Sequence, residues 1–284
     1  GYSGIENFGD IQLSQKASVD ASGEGGGSIQ VQSRRLSLKD GSSILSITSG
    51  AKTGRDFIVN ATESVELIGE STDGNYASSL LTESQGAGTS GNLTVNTQKL
   101  TTTDGAYLST YIVSSGDGGN LTVKATDSIE LLGSGIFESG LYTATSLGSS
   151  GNAGELTVET GNLTVKNSAT VFANSAGLGN GGDVLIEAFD RVAVSDARIV
   201  SIAGNGSSGD IRMTTGTLSL TNGSQLSTTM SGEGNAGNIS VDARDSVKLD
   251  GIVDKAITSI RSDLLTGGDR KSTRLNSSHA NISY

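Results

Sequence analysis

A glycine turn followed by a short alternating strand recurs along this chain, and it limits what the chain can fold into. The clearest copy is Gly118-Gly119-Asn120-Leu121-Thr122-Val123. It returns as Gly91-Asn92-Leu93-Thr94-Val95, Gly154-Glu155-Leu156-Thr157-Val158 and Gly237-Asn238-Ile239-Ser240-Val241, with looser copies at Gly27, Gly54, Gly182 and Gly209. Taken from Gly27, with Gly119 for the clearest copy, successive glycines are 27, 37, 28, 35, 28, 27 and 28 residues apart. A period in this range marks a repeat architecture, which grows by adding units rather than by enlarging one core.

Two kinds of unit alternate. In the first, three apolar anchors are spaced seven and then eight residues apart, as in Ile29, Leu36 and Ile44, or Leu156, Leu163 and Val171. In the second, the second anchor lies eight residues on, as in Phe57 and Val65 or Leu121 and Ile129, and the third segment is irregular. Around the anchors apolar and polar residues alternate: Leu156 and Val158 flank Thr157, and Leu218 and Leu220 flank Ser219. Such alternation, bounded by Gly, Asn, Asp and Ser, reads as strand. Asp40-Gly41 and Asn222-Gly223 carry turn chemistry without requiring hairpins.

Three strands per unit of about 28 residues, each with one inward face, predict an all-β fold. The predicted architecture is a right-handed parallel β-helix, its hand resting on the usual crossover preference and on the family resemblance given below. Nine or ten coils at about 4.8 Å each make a rod of roughly 45 Å. A hairpin-built sandwich is the rival, and the equal unit length favours the solenoid. Neither end shows a recognisable cap, and exposed strand edges predict association between copies.

Composition removes several classes of function. The net charge of -11 argues against nucleic acid, whose phosphates need Lys and Arg. No cysteine is present, so neither disulfides nor thiolate chemistry is available. No apolar run approaches the roughly 20 residues of a membrane helix, and no membrane insertion is expected. The chain opens at Gly1 without a basic and apolar leader, and reads as an internal fragment.

Residues 269–284 break the repeat composition. The run Asp269-Arg270-Lys271-Ser272-Thr273-Arg274-Leu275-Asn276-Ser277-Ser278-His279 resembles a one-frame translation of a sequencing-library adapter, and Ala280-Asn281-Ile282-Ser283-Tyr284 continues it. This tail is expected to be disordered, leaving residues 1–268 as the β-helix region with a net charge of -13 and no histidine. Without His and Cys, Ser-His-Asp and Cys-His nucleophilic sites and ordinary zinc sites are not available there.

Carboxylates and turns offer weaker candidates. Glu63 with Glu66, or Glu130 with Glu138, qualify for glycoside chemistry only by being acidic. The phases Val65-Glu66-Leu67 and Ile129-Glu130-Leu131 aim Glu66 and Glu130 outward. Asp73-Gly74-Asn75 and Asp117-Gly118-Gly119-Asn120 hold oxygen ligands but read first as turns. No catalytic, metal or cofactor site is expected.

Extra residues appear in the second kind of unit, within residues 69–90 and 133–153. Both leave the coil after its second strand, so both should emerge on one edge, often the binding side of a solenoid. Tyr76, Phe137 and Tyr142 lie in them, and Tyr107, Tyr111 and Phe172 lie in neighbouring units. The candidate ligand-binding residues are therefore Tyr76, Tyr107, Tyr111, Phe137 and Tyr142, since aromatics stack on sugar rings or anchor a protein partner. The plainer alternative is tolerated loops with partly buried aromatics.

The Gly-Asn-Leu-Thr-Val phrases, Ala125-Thr126-Asp127-Ser128-Ile129-Glu130-Leu131 and Ser231-Gly232-Glu233-Gly234-Asn235-Ala236-Gly237-Asn238 resemble the repeat region of bacterial filamentous haemagglutinin-like exoproteins. The likeness covers about residues 5–268. It implies two-partner secretion, in which an outer-membrane barrel passes a large β-helical protein to the cell surface or the medium. It also implies adhesion to host cells, neighbouring cells or polysaccharide surfaces, and it brings no catalytic residues. The expectation is a non-enzymatic adhesin stalk; a carbohydrate-active β-helix enzyme and a purely structural spacer are the alternatives.

Overall fold

A computed structural model of the chain describes residues 7–253, 256–265, 272–277 and 280–282. The described residues contain strands and turns and no helix. A long and a short strand alternate along the sequence. The long strands are Ile29–Lys39, Phe57–Ile68, Leu93–Thr103, Leu121–Leu132, Leu156–Lys166, Val184–Ser195, Ile211–Thr221 and Ile239–Asp250. The short strands are Ser43–Thr48, Ser79–Ser84, Tyr107–Ile112, Gly140–Thr145, Thr170–Ser175, Arg198–Ala203, Gln225–Met230 and Ser259–Leu264. Each pairs in parallel with its counterpart one coil away, giving one long-strand sheet and one short-strand sheet. The fold is a parallel β-helix.

Its core is a set of columns. Ile29, Phe57, Leu93, Leu121, Leu156, Val184, Ile211 and Ile239 lie opposite one another from coil to coil. Leu36, Val65, Leu100, Ile129, Leu163, Val192, Leu218 and Val247 form a second column, and every member of both is buried. One coil cannot enclose its apolar face; the next coil covers it.

The first two predicted strands of each unit are one continuous strand, 11 residues long in one kind of unit and 12 in the other. A register shift divides it: the step from Thr160 to Asn162 faces the step from Ala125 to Ser128. One additional residue is accommodated as a bulge, where the strand bends. The alternating anchor spacing in the sequence is this bulge, present in every second coil.

The third side of the coil is the glycine turn. A Cβ on Gly119 would collide with the carbonyl oxygen of Gly91, and one on Gly154 with that of Gly119. These glycines let successive turns stack in contact. Inward hydroxyls of the short strands take up the turn carbonyls: Thr82 Oγ1 donates to Gly91 O at 2.7 Å, Ser201 Oγ to Gly182 O at 3.0 Å and Thr228 Oγ1 to Gly237 O at 2.7 Å. The segments that look irregular in the sequence are therefore ordinary strands. Each keeps an inward aliphatic residue in the same column (Leu80, Leu141, Ile199 or Ile260).

Asp40 and Gly41, and likewise Asn222 and Gly223, have positive φ and join a long strand to a short one in the same coil. This is the turn chemistry expected, without a hairpin. At the same point the second kind of unit carries insertions at 69–78 and 133–139, while the coil from Val184 needs only residues 196–197. A third insertion, at 251–258, contains the antiparallel pair Ile252–Val253 and Ala256–Ile257, which the sequence reading does not anticipate.

The tail expected to be disordered includes two described strands. Thr273–Ser277 and Ala280–Ile282 lie parallel to Ile239–Asp250 as a further rung. An open edge of unpaired N–H and C=O groups templates an extended segment. Residues 272–276 of this rung are exposed. Residues 269–271, 278–279 and 283–284 lie outside the described ones.

Candidate ligand-binding groove

The outward face of the short-strand sheet carries the rings. Leu81, Ser109, Tyr142 and Phe172 form one outward column on successive coils. Glu83, Tyr111 and Ala144 form the next. Tyr107 faces Ser79 on one side and Gly140 on the other. Large rings thus alternate with the small residues Ser109, Gly140 and Ala144, and the small residues leave a depression. With Phe137 and Glu138 from the insertion at its margin, it encloses about 530 Å³. Ligand sites commonly fall in this range.

The rings pack on one another. Tyr107 and Tyr142 have centroids 5.8 Å apart, and Tyr142 meets Phe172 edge-on at 6.2 Å. The Tyr142 hydroxyl donates to the Glu138 carbonyl at 2.6 Å. The Glu138 carboxylate accepts from Arg198 at 3.0 Å. Glu83 accepts from the Gln85 side chain at 2.8 Å. Phe137 is fixed through its backbone, whose N–H donates to Glu70 Oε1 at 2.7 Å, so one insertion clasps the other.

Burial pushes all three phenols above their ordinary value of 10. The Glu138 charge and Tyr107 add to the effect at Tyr142. Glu83 adds to it at Tyr111. At Tyr107 the hydrogen bond with Ser79 works the other way. At neutral pH all three rings keep their hydroxyl protons, and Tyr142 donates its own to Glu138.

Four of the five candidate residues converge here: Tyr107, Tyr111, Phe137 and Tyr142, joined by Phe172. Tyr76 does not. It stands 57% exposed on the 69–78 insertion, with the Lys16 amine 5.8 Å from its ring centre. That insertion folds toward earlier coils, where the Lys16 amine also meets Asp73 at 3.0 Å. Leu81, Glu83, Ser109 and Ala144 also line the groove and are not among the residues expected there. Their signal is their phase behind Leu80, Leu108 and Leu141, visible only once the short strands are aligned.

The acidic candidates have other employment. Glu63 is held by Arg35 at 2.7 Å and Arg34 at 3.5 Å. Glu66 and Glu130 point outward between buried neighbours. Asp73 accepts from Ser71 at 2.5 Å, from Lys16 and from the Asn75 N–H, which hold its carboxyl far below the usual carboxylate range. Asp117 accepts both the backbone and the side-chain N–H of Asn152.

A second depression, of about 720 Å³, lies over the bend of the long strands. Glu159, Glu187 and Asp242 line it beside Phe189, which is 72% exposed, and the Arg244 guanidinium sits 5.1 Å from that ring. Set beside known proteins, the chain matches no family model, no curated protein and no solved structure, so the chemistry of the groove rests on its own residues.

Proposed function

We propose that this chain is the repeat stalk of a secreted or surface-exposed adhesin, passed outward through an outer-membrane secretion barrel. One observation carries the reading: an aromatic groove lies on the outward face of a stacked rod, beside the edge where its insertions emerge. A stack of coils holds a surface away from the cell, and many weak contacts add through effective concentration. The resemblance to filamentous haemagglutinin-like repeats supports the export route and the adhesive role. Partners on this reading are host cells, neighbouring cells or polysaccharide surfaces, and the stalk is non-enzymatic.

Beads coated with the purified chain should attach to at least one such surface, and soluble chain should compete. Absence of attachment by folded chain would remove the adhesive role and leave the spacer reading. A second reading, a carbohydrate-active enzyme, draws on the two groove carboxylates, Glu83 and Glu138. Release of reducing sugar ends from a polysaccharide panel would favour it.

A further inference from the structure

We infer that the groove on the short-strand sheet is a glycan subsite, taking a neutral saccharide chain laid along the rod axis. The inference deepens the adhesive reading above and rests on it for its biological setting, but its chemistry is argued from the groove alone.

The shape comes first. Ser109 and Ala144 are buried at the floor, and Tyr107, Tyr111, Tyr142 and Phe172 stand around them half-buried. Leu81 and Phe172 mark its two ends, three coil spacings apart, which is about 14 Å at the usual strand separation. That is an elongated trough, long enough for a short run of sugar rings. A sugar ring presents C–H groups on its faces and hydroxyls around its rim. The first fit aromatic walls, and the second reach polar groups at the margin.

The polar groups are placed for this. Glu83 and Tyr111 face each other on adjacent coils. Among the described residues no hydrogen bond engages the Tyr111 hydroxyl, and one Glu83 oxygen is taken by Gln85. The Glu83 carboxylate can accept from one sugar hydroxyl while the free Tyr111 phenol donates to the next. The Tyr142 hydroxyl and Glu138 are engaged internally, which holds the walls rigid before any ligand arrives.

The same features disfavour other occupants. Each short strand beneath the trough is paired on both sides, so no edge is open for an extended peptide to join. A peptide would bury backbone N–H and C=O groups here with few partners. Flat docking by a second rod is opposed by the 133–139 insertion, which carries Phe137 and Glu138 to the margin of the trough. Acidic groups at both margins, on a chain of net charge -11, disfavour sulfated or uronic chains.

The test uses the full chain and a panel of neutral oligosaccharides (β-glucan, galactan, mannan and chitin fragments), with heparin fragments as the anionic counter-ligand. The chain has no Trp, so its fluorescence comes from six tyrosines, three of them in the trough, and binding should be read directly. At least one neutral oligosaccharide should bind saturably. Phe172→Ala should weaken it at least about tenfold. Tyr111→Phe, which removes only the hydroxyl, should weaken it by a smaller factor, and Tyr76→Ala should leave it unchanged. Ser109→Leu fills the floor without removing a wall, and should abolish binding even if Phe172→Ala fails to fold.

No binding across the panel by folded chain overturns the inference, as does binding that Ser109→Leu leaves intact. Binding only of heparin overturns it too. Self-association that Ser109→Leu abolishes, with no saccharide bound, reassigns the trough to a second copy. If oligosaccharides bind while coated beads attach to nothing, the subsite stands and the adhesive role falls. If beads attach equally with Ser109→Leu and no saccharide binds, the reverse holds.

Discussion

The backbone N–H of Asn120 donates to the side-chain oxygen of Asn92 at 2.8 Å, one coil away, and the Asn120 side-chain oxygen takes the N–H of Glu155 at 2.9 Å. The turn asparagine is thus both rung and rail. Asp183, Asp210 and Asn238 repeat the device, with N–H to side-chain distances of 2.8 and 2.7 Å. A second rail runs through Asp117, Asn152, Asn180 and Ser207. On the glycine side, backbone bonds such as Ser90 N–H to Asp117 O and Gly118 N–H to Asn152 O join the coils at intervals, and these side chains take up amides between them.

Replacing Asn120 with alanine should therefore destabilise the chain by about 1 kcal/mol, the ordinary worth of one such bond near solvent. Asn120→Asp keeps the acceptor and should cost less. Urea unfolding of the three proteins side by side checks the order.

Stacked turn glycines should resist the smallest enlargement. Gly154→Ala places a methyl group against the Gly119 carbonyl and should cost about 1–3 kcal/mol. Gly23→Ala meets nothing within 4 Å and should be close to neutral. Equal melting temperatures for the two variants would contradict the stacking account.

Buried hydroxyls divide into two groups. Thr82 serves the Gly91 carbonyl, and Thr82→Val should cost about 1–3 kcal/mol by leaving that oxygen unpaired. Thr110 is fully buried with no hydrogen-bond partner, so Thr110→Val should be neutral or stabilising. Chemical denaturation should separate the two substitutions, although they are the same change at equivalent inward positions of adjacent coils.

Alkaline pH should weaken the fold through the groove tyrosines. Their folded values lie above 10, mainly through burial, with Tyr142 raised the most. The unfolded chain releases each proton near pH 10 while the folded chain retains it. Stability is therefore unaffected below that pH and falls as pH rises beyond it. A phenolate absorbance titration should show a late component, reduced in Tyr142→Phe.

The core columns are legible in the sequence because each coil repeats the same register and the same demand for an aliphatic residue. Leu121 and Leu156 announce each other at a distance of one unit. The short strands of the inserted coils are not legible in this way. Inward positions such as Thr82 and Ser84 serve turn carbonyls rather than a packed core, so the apolar period breaks where the strand does not. The bend hides as well, since an added residue looks like a change of spacing between two strands.

The groove is half legible. Tyr107, Tyr111 and Tyr142 show themselves as rare aromatics. Which residues they face depends on pairing across insertions of different length, so Glu83 and Leu81 stay hidden. Tyr76 misleads for the converse reason: it lies in a related insertion, but its loop turns back toward Lys16.

Strands that lie across a rod, bonded to neighbours along it, also determine how the rod fails under tension. A pull on its two ends loads those bonds one row at a time, as in opening a zipper, rather than shearing a whole sheet together. Coils should peel singly from an end. Successive first-column residues are 27 or 28 apart in plain coils, 36 between Phe57 and Leu93 and 35 between Leu121 and Leu156. At the reach of an extended chain, a plain coil frees about 95 Å and a longer one about 120 Å. Under tension, such a rod would release slack in steps of two sizes while its remaining coils stayed folded.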